Sequence, residues 1–553
     1  MSTLLALDLG QVQAHVFRSN RLRDVIAGSL QASRALDRKA LTEGGAGEDE
    51  IVVAAGGNAL LELRGPDSAD RARAVARHVT RRLLVEAPGL TAVAHLVPDF
   101  PEADGSNAWT DRLDQLQWAQ RELARRKREG PLSVPGADLG IVQACAETGA
   151  AASFLLPGDE GEAGQLVPVS RAVRRRRELL MEAAPGAEGR FADVLETAAT
   201  RLGKGWHVEL PREDLTGSLE WAGEPRGGER AAVVHIDGNG VAELLARHVA
   251  AAQMDPLQAL TEASKALSAA FEAAERAVVE VVAQALQLDQ SGQPVLGSSR
   301  LAGAVLRLPT DGADRVTLPL RPLVAAGDDL TFLCDGHLAI ALAVVALDTL
   351  REVSPAGLRF GACAGIAIGG AHAPFSRLRR IAGAACHSAK DTVRRRAQDD
   401  GDREPRFALD WHDGAFPAAE SLTAWRRRSL TVGGARLTAR PYLVDEDRPE
   451  RQPWSLRHLL DVVLGPVAGD QGGGPQDGLR SAWWQERRSR LARLRDAASR
   501  GQDVLTAELG RWPEFPPPNA RPLWAGFASH PSRETATVLL DAVELETLHL
   551  PLP

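Results

Sequence analysis

Three aspartates in two stretches have the residue types and spacing that suit metal-assisted chemistry. In Leu323-Val324-Ala325-Ala326-Gly327-Asp328-Asp329-Leu330-Thr331-Phe332-Leu333 an apolar run enters a Gly-Asp-Asp tip and a β-rich run leaves it. That pattern predicts a β-hairpin with two adjacent carboxylates at its turn. Gly and Asp are also ordinary turn residues, so the tip alone is equally what a plain turn looks like. Upstream, Ala231-Ala232-Val233-Val234-His235-Ile236 reads as a buried strand ending on Asp237. Gly238-Asn239-Gly240 then turns the chain into a helix at Val241. Mg²⁺ or Mn²⁺ takes hard oxygen ligands, typically one or two carboxylates plus substrate phosphates. Two such ions can activate a hydroxyl and stabilise departing pyrophosphate. Asp237, Asp328 and Asp329 are therefore candidate metal ligands and catalytic residues. Gly238, Gly240 and Gly327 are places where backbone N–H groups can approach a phosphate.

The elements around these residues follow a repeated order. Leu4 to Asp8 is a short strand, again ending on Asp. Val12, Val16, Phe17, Leu22, Val25 and Ile26 have helical spacing, and Ile51 to Leu63 is a hairpin with its tip near Gly57-Asn58. A helix from about Ser68 to Val85 and a strand near Leu90 to Leu96 complete βαββαβ. The same order recurs as a strand to Asp237, a helix, the Asp328-Asp329 hairpin, a helix from Gly336 to Leu350 and a strand from Leu358 to Ile368. The fold class is thus α+β: two ferredoxin-like units, a mixed linker region and a small, mainly helical C-terminal domain. The boundaries fall at 1–100, 101–229, 230–415 and 416–553. Asp255 to Leu288 reads as a long helix inserted in the second unit, and Leu479 to Ala507 as a C-terminal helix. Pro157–Gly164 and Pro513–Pro518 read as irregular, and Gly223–Gly228 as the linker into the second unit.

Composition narrows the class. The chain has 553 residues, 44% apolar and 25% charged, with a net charge of −8. Those values fit a soluble globular protein of several units and argue against wholesale nucleic-acid coating. No signal peptide and no membrane-length apolar run is visible, which predicts a cytoplasmic protein. Cys145, Cys334, Cys363 and Cys386 form no CxxC pair, so neither a zinc site nor a disulfide framework is expected. Arg174 to Arg177 is either a solvated helix face or a nucleic-acid contact. Asp8, without an acidic hairpin partner, reads as a cap or turn residue. His235 and His412 receive no role.

The ordered set of motifs resembles the large polymerase-like subunit of type III CRISPR effector complexes, which carries two palm domains. Asp8-Leu9-Gly10-Gln11-Val12-Gln13-Ala14-His15-Val16-Phe17, Ala27-Gly28-Ser29 and the Gly56-Gly57-Asn58 tip resemble its degenerate first palm. Asp237, Gly327-Asp328-Asp329, Cys363-Ala364-Gly365-Ile366-Ala367-Ile368, Pro374 and Ala389-Lys390 resemble its second. GGDEF-type cyclases share the palm but would place Glu at Asp329 and Phe at Leu330. The resemblance implies ATP bound between the palms and 3′–5′ joining of AMP units into cyclic oligoadenylate messengers in antiphage defence. It implies Asp237 and Asp328 as metal ligands, Asp329 as a third carboxylate, and Lys390 with Arg394 on the triphosphate. Partners would be nucleoside triphosphates, RNA, CRISPR-like protein subunits or a second copy of the chain. Three departures stand out. Ala326 replaces the first Gly of Gly-Gly-Asp-Asp. No His-Asp nuclease domain precedes the first palm. The zinc cysteines between the palms are missing, with Cys145-Ala146-Glu147-Thr148-Gly149 resembling a remnant. A catalytically silent nucleotide sensor or scaffold is the alternative these departures leave open.

Overall fold

Both predicted βαββαβ stretches build antiparallel sheets with the same strand order. The computed structural model describes residues 2–103, 106–130, 141–157, 165–182, 186–212, 215–221, 224–225, 228–297, 304–310, 314–353, 357–402, 404–417, 420–446, 448–465, 478–512, 514, 523–532 and 534–552. In the first sheet the strands run Ile51–Ala55, Asn58–Arg64, Ser2–Gly10, Thr91–Phe100 across the sheet. In the second they run Leu320–Ala326, Asp329–Asp335, Arg230–Gly238, Ala362–Gly370. Ala408–Asp413 extends the second sheet in parallel, and Tyr442–Leu443 closes it. Ser2–Gly10 and Arg230–Gly238 are the central strands. Each is a near-continuous apolar run because it is paired on both edges and covered on both faces.

The two units pack reciprocally. Leu5, Leu7 and Leu9 of the first sheet share one core with Val25 and Ile26, and also with Val233, Leu333, Leu378 and Ile381 of the second. On the opposite face of the first sheet, Leu4, Ala6 and Leu60 meet Leu116 and Ala119, and also Val249, Leu257 and Leu260 from the second unit's helices. Each unit's helices therefore lie over the other's open sheet face. Cross-unit hydrogen bonds repeat the exchange: Ser29 Oγ donates to Leu323 O, and Thr261 Oγ1 donates to Val52 O at 3.2 Å. Arg112 adds a buried ion pair to both Glu62 (2.8 Å) and Asp255 (2.6 Å).

Several elements differ in extent from the sequence reading. The helix predicted from Gly336 begins at Ala339, because Asp335 binds back to His337 N (2.9 Å) and holds that stretch as a turn. The inserted helix runs Pro256–Ala285, with Asp255 accepting from Leu257 and Gln258 as its N-cap. The expected C-terminal helix is three pieces, Ala482–Gln485, Arg488–Ser499 and Gln502–Leu509. Their breaks let Trp484, Leu494 and Leu505 all reach the core. Within the expected linker, Glu224–Pro225 pairs back on Glu220 and Trp221; residues 222–223 and 226–227 lie outside the described residues, as do 158–164 and most of Pro513–Pro518. Among the described residues no helix is long and apolar enough to cross a membrane.

Candidate functional site

The register of the second sheet sets Asp237 directly opposite Asp329. Asp328 lies one residue earlier on the tip, and its carbonyl accepts from Gly238 N at 3.0 Å. A Cβ at Gly238 would fall 2.5 Å from Val241 Cγ2 and 3.2 Å from the Asp328 Cβ. Only glycine lets the tip aspartate come this close to the strand end. Gly327 has φ +69°, and a Cβ there would lie 3.6 Å from the Cα of Gly56, so the hairpin tips of the two units abut. The tips border a cleft of about 1160 Å³, lined among others by Asp8, Gln13, Lys127, Asp237, Asp328 and Arg379.

Charge in this cleft is unevenly compensated. Burial, and then the neighbouring Asp237, pushes the Asp328 carboxyl up to about 6. Asp237 is held by Lys390, whose Nζ lies 2.7 Å from its Oδ2 and donates to Gly238 O at 2.9 Å. Asp329 is different. Burial pushes its carboxyl up, but His235, Arg379 and Thr331 outweigh that and hold it below the usual carboxylate range. Its Oδ2 accepts from Gln13 Nε2 at 2.7 Å, while its Oδ1 lies 3.0 Å from His235 Nδ1 and 3.1 Å from Thr331 Oγ1. Arg379 completes the circuit, donating to Gln13 Oε1 at 2.9 Å and to His235 Nε2 at 3.2 Å. That pattern puts the imidazole proton on Nδ1, facing Asp329.

The structure thus brings Asp237, Asp328, Asp329, Gly238, Gly327 and Lys390 together at one end of the second sheet. Gly240 sits at the N-cap of the following helix with φ +62°. Arg394 is not brought in: it is 65% exposed and pairs with Asp391 at 3.0 Å. His235, Gln13 and Arg379 are the residues sequence reasoning passed over. Two of the three carried a signal, since His235 shares the strand face of Asp237 and Arg379 the helix face of Lys390.

Donor atoms of His235, Asp237 and Cys386 also lie within 4.8 Å of one another. Burial holds the Cys386 thiol well above its ordinary value, and it donates to Cys363 O at 3.3 Å. It is a packed thiol, not a thiolate ligand; the hard oxygen donors at this end of the sheet are the carboxylates of Asp237 and Asp328 and the Gly238 carbonyl.

The arginine run resolves as structure. Arg174 pairs with Glu178 (2.7 Å), Arg175 with Glu182 (2.9 Å) and Arg177 with Glu147 (3.3 Å), while Arg176 is buried and donates to His15 O. His412 is buried, its pKa lowered to about 4 by desolvation and then by Arg426 and Arg440.

No protein-family model matches the sequence, and no curated protein does. Among solved structures, the apo Csm1–Csm4 cassette aligns over 99% of this chain and 70% of the other, with a TM-score of 0.51 at 12% identity. The fold is shared with that cassette. Cassette structures in complex with pppApA and with cA4 align over 73% and 78% of this chain, with TM-scores of 0.40 and 0.41 at 14% and 12% identity. This chain spans little more than half of those chains, 54% and 58%. The resemblance read from the motifs to the type III CRISPR palm-domain subunit is borne out in the fold.

Proposed function

We propose that this chain is a Mg²⁺- or Mn²⁺-dependent nucleotidyltransferase that converts ATP or another nucleoside triphosphate into a cyclic oligonucleotide messenger in CRISPR-linked antiphage defence. In this reading 1–100 is a degenerate palm, 101–229 a linker domain, 230–415 the active palm and 416–553 a C-terminal domain. Other subunits and RNA are its partners in the cytoplasm. The observation that carries the reading is the desolvated Asp328 carboxylate beside Asp237 at the border of the inter-unit cleft. Two carboxylates and the Gly238 carbonyl are hard donors that suit an octahedral divalent cation, so the residues present fit the metal. When bound, the cations would supply the charge that activates a 3′-hydroxyl and stabilises departing pyrophosphate. The 3′-oxygen bonds to the α-phosphorus of a second nucleotide, the bond to the β-phosphate oxygen breaks, and the hydroxyl proton passes to solvent. Lys390, freed from Asp237, would hold the triphosphate.

The test is incubation of the purified chain with each nucleoside triphosphate and Mg²⁺ or Mn²⁺, with and without RNA, followed by mass spectrometry. An oligonucleotide product that disappears in Asp328→Ala supports the reading. Nucleotide binding without product under every condition moves the assignment to a sensor or scaffold. The closure of Lys390 onto both Asp237 and Gly238 O is the observation that favours this second reading.

A further inference from the structure

The circuit around Asp329 joins the two units through polar groups at positions where the first unit is apolar. Asp8 pairs with Asn58 as Asp237 pairs with Asp329, so the registers can be overlaid. Ala6 and Leu60 then stand where His235 and Thr331 stand. Leu116 precedes Lys127 by the same number of residues as Arg379 precedes Lys390. All three first-unit residues are buried apolar side chains in one cluster. The shared backbone therefore packs without His235, Thr331 or Arg379, and folding alone does not require them.

What these residues do is occupy Asp329. Both of its carboxylate oxygens face donors at hydrogen-bond distance, and one donor, Gln13, comes from the first unit. Asp328, by contrast, has no ion-pair partner within 4.0 Å among the described residues, while its neighbours Asp237 and Asp329 are held by Lys390 and His235. We propose that Asp329 is a positioning residue: it clamps Gln13 of the first unit to the Asp328 hairpin and leaves Asp237 and Asp328 to hold the cation. Arg379 and His235 fix the clamp by bonding Gln13 and Asp329 from behind. The inference rests on the reading of Asp237 and Asp328 as a cation site, and it assigns the two adjacent tip aspartates different work.

Two measurements on the full chain test it. In Mn²⁺ titrations followed by electron paramagnetic resonance, Asp328→Asn weakens binding by about tenfold or more. Asp329→Asn, which keeps an acceptor for Gln13, shifts affinity by less than about threefold. Equal losses in the two variants would overturn the assignment. The clamp is read separately by thermal unfolding of Gln13→Leu, Asp329→Ala and the double variant. The double variant should lose less than the sum of the two single losses, because the Gln13–Asp329 bond is counted in both, while the Arg379–Gln13 bond is lost only through Gln13→Leu. Additive losses show that Gln13 and Asp329 act independently and sink the clamp. Wild-type protein that binds no Mn²⁺ would remove the cation reading itself, and the unfolding cycle would still decide whether the clamp exists.

Discussion

The two βαββαβ units share strand order, hairpin position and a strand-end aspartate paired to a lysine. Lys127 Nζ lies 2.7 Å from Asp8 Oδ1, and Lys390 Nζ lies 2.7 Å from Asp237 Oδ2. They part at the hairpin tip, Gly57-Asn58 against Asp328-Asp329, and at the positions beneath it. The first unit fills those positions with Ala6, Leu60 and Leu116; the second with His235, Thr331 and Arg379. Burying polar and charged groups costs free energy that hydrogen bonding only offsets, whereas apolar burial contributes directly. The first unit is what this backbone looks like when built for packing. The second carries groups that packing does not call for, and they surround the carboxylates of the cleft.

The largest test of that contrast is Asp328→Asn. The folded pKa of Asp328 is raised from 3.8 to about 6, so the fold favours its protonated form. The resulting penalty is absent below about pH 3.8, grows as pH rises to about 6 and is constant above that. At pH 7.5 without divalent cation, Asp328→Asn should therefore raise stability by on the order of 2 kcal/mol, and with the cation present it should abolish the proposed turnover. The gain should vanish near pH 4. Thermal unfolding across that range checks it, and a loss of stability at pH 7.5 would mean that Asp328 is an ordinary turn residue.

A smaller effect separates the two lysines. Lys390 is the cation now held by Asp237 and the Gly238 carbonyl, and a bound divalent ion must displace it. Lys390→Met should tighten Mn²⁺ binding by about threefold to tenfold while weakening nucleotide binding. Lys127→Met, on the half-exposed pair of the first unit, should leave both within about twofold. Calorimetric titration of the two variants checks this. Equal responses would make the cleft symmetric in function as well as in fold.

Much of this was legible in the sequence. Apolar runs that end on Asp, glycine-rich turns and a repeated element order locate both sheets and all three aspartates of the second unit. The missing parts have physical reasons. Gln13 meets Asp329 across 316 residues of chain, and no local pattern encodes such a contact. Arg394 lies on the same helix as Lys390 but outside the group the structure brings together. One turn past Lys390 is about 5 Å farther along the axis, where the side chain is solvent-exposed and pairs with Asp391. His235 was readable from its period-two spacing to Asp237, yet a lone histidine on a buried strand is indistinguishable from a core residue until its partners are placed. The C-terminal helix pattern ran continuously, and only the position of the core shows where it breaks.

The smallest expected effect is the sharpest test of how the tip aspartates divide their work. Asn58 is exposed and stands opposite Asp8 as Asp329 stands opposite Asp237. Asn58→Asp gives the first unit the counterpart of Asp329 without that of Asp328, since Gly57 has no side chain. If the residue at this position positions rather than ligates, the change adds no Mn²⁺ equivalent. It should shift stability by less than about 0.5 kcal/mol, as surface substitutions usually do. A second Mn²⁺ equivalent in Asn58→Asp would show that a strand-end Asp with an Asp in this register is enough to hold a cation. Asp329 would then be a ligand masked by Gln13, and the difference between the units would lie in that masking more than in their carboxylates.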